Sequence, residues 1–194
     1  SAPEMIIRKD RDTAVNWVAY HASMGTGNGN LALFLNTTSS QDSGQGFMNN
    51  TAPTSTVFTQ GDQGFVGVSG RNYISYCFHS VDGYSKVGSF AGNGSETAGP
   101  FVHCGFKPKF LLVKRATEVG SWFLFDTERS PYNVMNAKLS AENSGAEDSD
   151  TSWNIDFLSN GFKLRSPHIY MNSGSNTHIF LAFAESPFKH TNAR

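Results

Sequence analysis

Short apolar runs bounded by polar turn residues recur along the chain, and each has the length of a β-strand. In the second half of the chain they lie at 86–90, 101–104, 110–115, 122–126, 155–158, 162–164 and 179–183. No window keeps an apolar period of 3.6 residues, although 136–141 could form one helical turn. Residues 72–76 alternate between apolar and polar, whereas 110–113 are apolar on both faces, as in an inner strand. The pattern predicts an all-β fold, an antiparallel β-sandwich of the jelly-roll or lectin-like kind.

Glycine and asparagine mark the turns between these runs. Asn160-Gly161 separates 156–158 from 162–164 and predicts a hairpin in which the turn residues adopt positive φ. The counterpart of this turn in the first half of the chain is Gly61-Asp62-Gln63-Gly64. The alternate glycines of 24–30 indicate a flexible loop tip rather than a phosphate-binding loop.

The apolar pattern repeats at an offset of 105 residues. Residues 3–9 match 108–114, residues 16–20 match 121–125, and residues 73–78 match 178–183. This offset predicts a tandem duplicated unit, with residues 1–82 as a first unit that lacks its lead strand and residues 83–194 as a second. The two units, called the first half and the second half below, form either two domains or one pseudo-symmetric domain.

The lead-in segment 83–104 of the second half has no counterpart before Pro3 in the first half. Either the edge of the first half stays open, or another segment or a neighbouring subunit completes it. We therefore expect a homo-oligomer. The first residue is Ser1 rather than Met, which leaves an artificial boundary and proteolytic maturation both open.

Composition narrows the classes of partner. The 194 residues include 19 glycines and 16 phenylalanines, only 16% are charged, and the formal net charge is −1. Neither sign of charge clusters, so we expect no nucleic-acid partner and no attraction to an anionic membrane. No apolar run approaches the roughly 18 residues that a bilayer-spanning helix needs, so we expect no membrane insertion.

The sequence offers no cofactor motif and little metal chemistry. Cys77 and Cys104 lack nearby Cys or His at metal spacing, and we interpret them as small core residues, with a disulfide as the alternative. The cluster Glu147, Asp148 and Asp150 could offer oxygen ligands to Ca²⁺, but it lacks the EF-hand pattern and fits a solvated loop. We therefore predict neither a cofactor nor a metal site.

Catalysis is weakly supported by the sequence. Asp126 and Glu128 could serve as the acid and base of a glycoside hydrolase, but nearby cations such as Arg129 would pair with them. The chain has no nucleophile elbow and no HExxH motif. We therefore predict that the protein is not an enzyme.

Aromatic residues in the loops of the second half are the candidate binding residues. Trp17 and Trp122 occupy the same repeat position and are best explained as core. Trp153 has no aromatic counterpart in the first half and follows a polar stretch, which favours a contact with a receptor or glycan. We predict Trp153, Tyr132 and Tyr170 as the receptor- or glycan-binding residues.

Four segments of the second half resemble a repeat of bacteriophage virion proteins. The similarity is to tail-fibre and adhesin-like proteins of marine phages, and it is carried by Gly88-Ser89-Phe90-Ala91-Gly92-Asn93-Gly94, by 105–115, by Ser159-Asn160-Gly161-Phe162-Lys163-Leu164, and by 178–185. Lys114 and Arg115 are adjacent, where the repeat separates its Lys and Arg by one residue. The first half matches less completely, with Ala19-Tyr20-His21 in place of Leu-Phe-Asp.

The resemblance implies a virion component with β-sandwich architecture and supplies no catalytic residues. We therefore expect a phage virion structural protein, tail-fibre or adhesin-like, that binds a host surface receptor or glycan, with other virion proteins as partners. One alternative is a purely architectural capsid or tail decoration protein without a ligand. A polysaccharide depolymerase is the third and least favoured class.

Overall fold

The computed structural model describes residues 1–25, 29–43, 46–62 and 64–187. Twelve strands, one 3-10 turn and one short helix are formed by these residues. The strands are β1 Met5–Asp10, β2 Val18–His21, β3 Leu33–Phe34, β4 Tyr73–Phe78, β5 Ser85–Ala91, β6 Phe101–His103, β7 Pro108–Arg115, β8 Trp122–Asp126, β9 Leu139–Ser140, β10 Ile155–Leu158, β11 Gly161–Leu164 and β12 Thr177–Ala184. The 3-10 turn is Thr151–Trp153 and the helix α1 is Ile169–Asn172. No helix among the described residues is long and apolar enough to cross a membrane.

The strands form three antiparallel sheets. The first sheet has the order β3-β2-β1-β4, the central sheet β5-β12-β7-β8-β9, and the third sheet β10-β11-β6. The first sheet is built from the first half of the chain, and the other two sheets come from the second half. Each pair of neighbouring strands is antiparallel.

The central sheet is covered on both faces, which explains the doubly apolar strands. One face packs on the first sheet, with Met5 and Leu33 from one side and Trp122 and Leu181 from the other in a single apolar cluster. The opposite face packs on the third sheet through a second cluster. The predicted all-β antiparallel sandwich is confirmed, and it has one layer more than two packed sheets.

The first sheet and the central sheet share one pattern of strand pairing. The partners of β1 in β2 and β4 recur, 105 residues later, as the partners of β7 in β8 and β12. For example, Ile6 pairs with Tyr20 and Cys77, and Leu111 pairs with Phe125 and Ala182. The sequence offset therefore corresponds to equivalent backbone pairing.

Equivalent faces of the two sheets pack against each other. Met5 and Phe78 of the first sheet line the same cluster as their counterparts Phe110 and Phe183 in the central sheet. The rings of Phe78 and Phe183 meet edge-on, with centroids 6.2 Å apart. This contact joins residues that are 105 positions apart, so the two halves meet with approximate two-fold character.

The other face of the first sheet is covered differently from its counterpart. Phe47, Met48 and Val66, from irregular segments, pack on β1 and β2 where the second half uses a sheet. The turn Gly61-Asp62-Gln63-Gly64 is predicted to form a hairpin like its counterpart in the second half. This prediction is wrong for 61, 62 and 64, because no strand lies directly on either side of them. Gln63 lies outside the described residues. Residues 136–141 form no helical turn, since this segment contains strand β9.

The hairpin predicted at Asn160-Gly161 forms, but its glycine has another role. β10 and β11 pair with Leu158 opposite Gly161, so the loop is Ser159-Asn160. Gly161 does not have positive φ. A Cβ at this position would lie 2.0 Å from the Val102 carbonyl oxygen of β6. Gly161 is therefore required for close approach of two strands, and the turn geometry does not depend on it.

This close approach predicts a difference between two matched glycines. Gly161→Ala should lower the free energy of unfolding by roughly 1–3 kcal/mol, because strand β6 must move away from the new methyl group. At Gly64, the counterpart in the first half, no atom of the described chain lies within 4 Å of the place that a Cβ would take, and φ is not positive. Gly64→Ala should leave stability within about 1 kcal/mol of the parent. Urea unfolding of the two variants measures both values, and equal destabilisation would contradict this role of Gly161.

Candidate functional site

Tyr132 stands on an exposed loop between β8 and β9. Its residue surface is 82% exposed, the highest value among the large hydrophobic side chains of the described chain. The next residue, Asn133, anchors the loop to β10: its Nδ2 donates to the Phe157 carbonyl oxygen at 2.8 Å, and its Oδ1 accepts from the Phe157 amide at 2.9 Å. Met135 and Ile155 then exchange two backbone hydrogen bonds of 2.9 Å. The loop thus presents an aromatic side chain from a fixed base.

Trp153 lies in the core, at the end of the 3-10 turn, with 9% of its surface exposed. Its ring packs on Phe123, with centroids 4.8 Å apart, and on His168 at 4.4 Å. The Lys138 ammonium lies 4.7 Å from the ring centroid, and the indole N–H donates to Asp148 Oδ2 at 2.8 Å. The ring and the N–H of this indole are both engaged within the protein, and with 9% of its surface exposed a ligand could reach the ring only after rearrangement.

Tyr170 is half-buried in helix α1, beside the same cluster. Its ring lies 5.2 Å from that of His168, and the guanidinium of Arg115 stands 5.1 Å from its centroid. Arg115 is itself 8% exposed and donates to the carbonyl oxygens of Ile169 and Val119. Tyr170 and Trp153 therefore belong to one aromatic cluster linked by His168, whereas Tyr132 lies on a separate loop.

The acidic loop residues are engaged by donors within the chain. Asp148 accepts from the amide of Asp150, from the indole N–H of Trp153 and from Lys138, and these contacts hold its pKa below the usual range against the opposing effect of burial. Asp150 caps the 3-10 turn by accepting from the Ser152 amide at 2.7 Å. No group of three or more His, Cys, Asp or Glu side chains in the described residues is arranged to hold a metal ion.

The two carboxylates considered for glycoside hydrolysis are both ion-paired. Asp126 Oδ2 lies 2.6 Å from Arg129 Nε, and Glu128 Oε1 lies 2.6 Å from Lys109 Nζ. Burial raises the pKa of Asp126, but hydrogen bonds from the amide and guanidinium of Arg129 outweigh it and leave the pKa lowered. The lowered pKa of Asp126 is the opposite of the raised carboxyl pKa that a general acid needs.

Of the five histidines that the structure describes, two are buried in strands. His21 and His178 are 1% and 0% exposed. His21 joins the two halves, since its Nε2 lies 3.3 Å from the Phe180 carbonyl oxygen, and His178 stacks on Phe90 with centroids 5.0 Å apart. Burial lowers the pKa of each from 6.5 to about 4, so both rings are neutral at neutral pH.

Sequence reasoning missed Asn133, Lys138 and His168. Asn133 has no local signal, because both of its bonds reach Phe157, 24 residues further along the chain. Lys138 and His168 have no such signal, since their contacts with Trp153 join segments 15 residues apart on either side of it. Cys77 was predicted as core but is exposed on β4, whereas Cys104 is buried as predicted.

A protein-family model described as Domain of unknown function (DUF7483) matches residues 1–187. The chain belongs to this family. Searches of curated proteins and of solved structures find no significant match. The DUF7483 domain thus comprises both halves of the fold, including the layer between the first and central sheets.

The buried histidines predict a loss of stability in mild acid. Between pH 6.5 and 4 the unfolded chain binds protons that the folded imidazoles do not, so unfolding becomes easier as the pH falls through this window. From pH 7 to pH 4.5 the pair should cost roughly 2–5 kcal/mol of unfolding free energy.

Urea unfolding at a series of pH values measures this dependence. Replacing either His21 or His178 by Gln should lower the slope of unfolding free energy against pH by up to half, because the other buried ring and His168, whose pKa burial also lowers, still contribute. His79, which is exposed, offers the matched control, because His79→Gln should leave the slope unchanged. A flat profile between pH 6.5 and pH 4.5 would show that the buried rings are protonated in the folded state.

Proposed function

We propose that this DUF7483 protein is a noncatalytic phage virion component, tail-fibre or adhesin-like, that contacts a host surface receptor or glycan through the Tyr132 loop. The proposal rests on one observation, an exposed aromatic ring on a loop whose backbone is held in place. Tyr132 is 82% exposed, and Asn133 holds its loop to β10 by two hydrogen bonds. A tyrosine ring can stack on a sugar and hydrogen-bond to it while losing little side-chain entropy.

The remaining predicted contact residues support the proposal unequally. Tyr170 is half-buried beside Arg115 and retains an accessible part of its ring. Trp153 is 9% exposed, and its indole N–H donates to Asp148. We therefore propose that it stabilises the connection between β9 and β10 and does not contact a ligand. One exposed aromatic ring favours a weak single contact, and useful affinity would come from several copies on one particle.

We further propose that the two halves arose by tandem duplication. The support is the recurrence of the β1 pairing register in β7 at an offset of 105 residues, together with the repeated sequence motifs. A duplicated scaffold whose halves differ in their outer segments is suited to carrying a binding surface, because one half can vary while the shared core keeps its packing.

A purely architectural virion protein is the second candidate function, and the exposed edge of β4 favours it. Ile74 and Tyr76 of that strand are 38% and 47% exposed, although they occupy strand positions whose counterparts in β12 are buried. A protein that assembles through this edge needs no ligand at the Tyr132 loop. The two candidates therefore make opposite predictions for binding to host cells.

The proposed contact predicts that Tyr132→Ala weakens binding without loss of stability. The fluorescently labelled protein, multimerised on streptavidin, is tested for saturable binding to a panel of marine bacterial isolates, with their extracted surface polysaccharide as competitor. Tyr132→Ala should weaken binding about tenfold or more, because an exposed aromatic anchor is removed. Its unfolding free energy should stay within about 0.5 kcal/mol of the parent, since Tyr132 lies outside the core.

Two further variants make the assay specific. Ile169→Ala removes an exposed apolar side chain, 56% exposed, from helix α1 and should bind like the parent. Asn133→Ala should both destabilise the protein by roughly 1–3 kcal/mol and weaken binding, because it releases the loop that positions Tyr132. Equal binding of parent and Tyr132→Ala would overturn the assignment of Tyr132, and absence of saturable binding to any isolate would favour the architectural role.

A further inference from the structure

The first sheet ends at β4, and no strand of the described chain pairs with the outer edge of β4. The Arg11 amide donates to the Asn72 carbonyl oxygen at 2.9 Å. Because alternate residues of an antiparallel strand bond to its neighbour, this bond shows which residues of β4 bond to β1. In an antiparallel pair this alternation directs the backbone N–H and C=O groups of Tyr73, Ser75 and Cys77 away from β1. Three residues therefore present unpaired ladder groups at this edge.

The counterpart of this edge in the central sheet is occupied. β12 takes the place of β4 there, and its residues His178, Phe180 and Ala182 occupy the positions of Tyr73, Ser75 and Cys77. Their partners on the far side belong to β5, which runs antiparallel and pairs with β12 over seven residues. The same molecule thus shows that a strand fits on this type of edge.

Two large side chains of β4 are exposed, as expected for a strand that has no neighbour at its outer edge. Ile74 and Tyr76 are 38% and 47% exposed, whereas Ile179 and Leu181, at the equivalent positions of β12, are 1% and 3% exposed. Because β5 flanks β12 and nothing in the described chain flanks β4, only the β12 side chains are enclosed. A strand added beside β4 would cover apolar surface as well as complete a hydrogen-bond ladder.

β4 also lacks the usual protection of an edge strand. It contains no charged residue, no proline and no register shift against β1. The other edges are blunted: β3 and β9 have two residues each, and the Ser80 hydroxyl bonds the Val87 backbone on the outer side of β5. Of the strands that end the first and central sheets, β4 is the one suited to accept another strand.

We propose that β4 pairs antiparallel with β4 of a second copy of this chain, across a two-fold axis, to make a continuous eight-stranded sheet. A second copy fits because it brings an identical, uncharged strand with the same three outward groups, and a two-fold axis pairs like with like. Only one register pairs all three in both copies: Ser75 opposite Ser75, and Tyr73 opposite Cys77 of the second copy. This interface does not depend on the proposed Tyr132 contact.

Sedimentation of a matched pair of variants tests the interface. Proline at position 77 removes an N–H that points away from β1, so the hydrogen bonds between β1 and β4 are kept. The β4 strand of the second copy would lose this donor and would clash with the proline ring. The parent and Cys77→Ala should form dimers as the concentration rises from micromolar to submillimolar, with Cys77→Pro at least about tenfold weaker. Circular dichroism and thermal unfolding should show that both variants are folded.

Two sedimentation results would overturn the proposal. One is a parent protein that stays monomeric throughout the concentration range, which would leave the edge to a strand of another protein. The other is a folded Cys77→Pro variant that dimerises like Cys77→Ala, which would place the dimer contact elsewhere.

Disulfide trapping tests the register and is independent of whether the proline variant folds. In the Cys77→Ala background, Ser75→Cys places one thiol on the predicted two-fold axis, where Cα atoms about 5.5 Å apart suit a disulfide. Ser89→Cys in the same background is the control, because Ser89 is exposed on β5 at the edge that Ser80 blunts. Mild oxidation should give covalent dimers of the Ser75→Cys protein and few of the Ser89→Cys protein. Equal yields would overturn the proposed pairing.

Discussion

Packing of the first sheet on the central sheet is the contact on which the arrangement of this molecule depends. The shared apolar layer takes residues from both halves of the chain, from Met5 in β1 to Leu181 in β12. The first sheet alone has four strands, one of them only two residues long, and needs this contact to bury its inner face. Polar contacts follow from the same packing, since His21 reaches Phe180 and the Trp122 indole donates to the Phe34 carbonyl oxygen at 3.0 Å.

A lysine at the same repeat position in each half shows how equivalent positions keep equivalent roles. Lys9 Nζ donates to the Val15 carbonyl oxygen at 2.9 Å, and Lys114 Nζ donates to the Gly120 carbonyl oxygen at 2.6 Å; donors and acceptors are each 105 residues apart. Lys9 closes the connection between β1 and β2, and Lys114 closes the connection between β7 and β8. Lys114 also donates to the Thr38 carbonyl oxygen, and burial lowers the pKa of Lys114 to about 8 because the charged ammonium is partly removed from water.

The sequence predicts the strands of this protein well and its surface poorly, for a physical reason. Runs such as 110–113 and 179–183 are apolar on both faces, and a strand between two layers can bury them. Exposure, by contrast, depends on which neighbours a segment meets. The polar stretch before Trp153 predicts a surface residue. In the structure, however, Lys138 and His168, each 15 residues away along the chain, pack against its ring. Cys77 lies in an apolar strand and is exposed, because the strand that would flank it is absent from the described chain.

Differences between the halves, rather than their likeness, produce the surfaces that can bind. The second half uses β10, β11 and β6 to cover its outer face, and the Tyr132 loop is fixed to β10 through Asn133. The first half covers the corresponding face with irregular segments, and its described residues include no counterpart of β10 to which an equivalent loop could be anchored. They also include no counterpart of β5, which leaves the edge of β4 open. The same asymmetry thus gives one half an anchored loop with an exposed aromatic ring and leaves the other half with an unpaired strand edge.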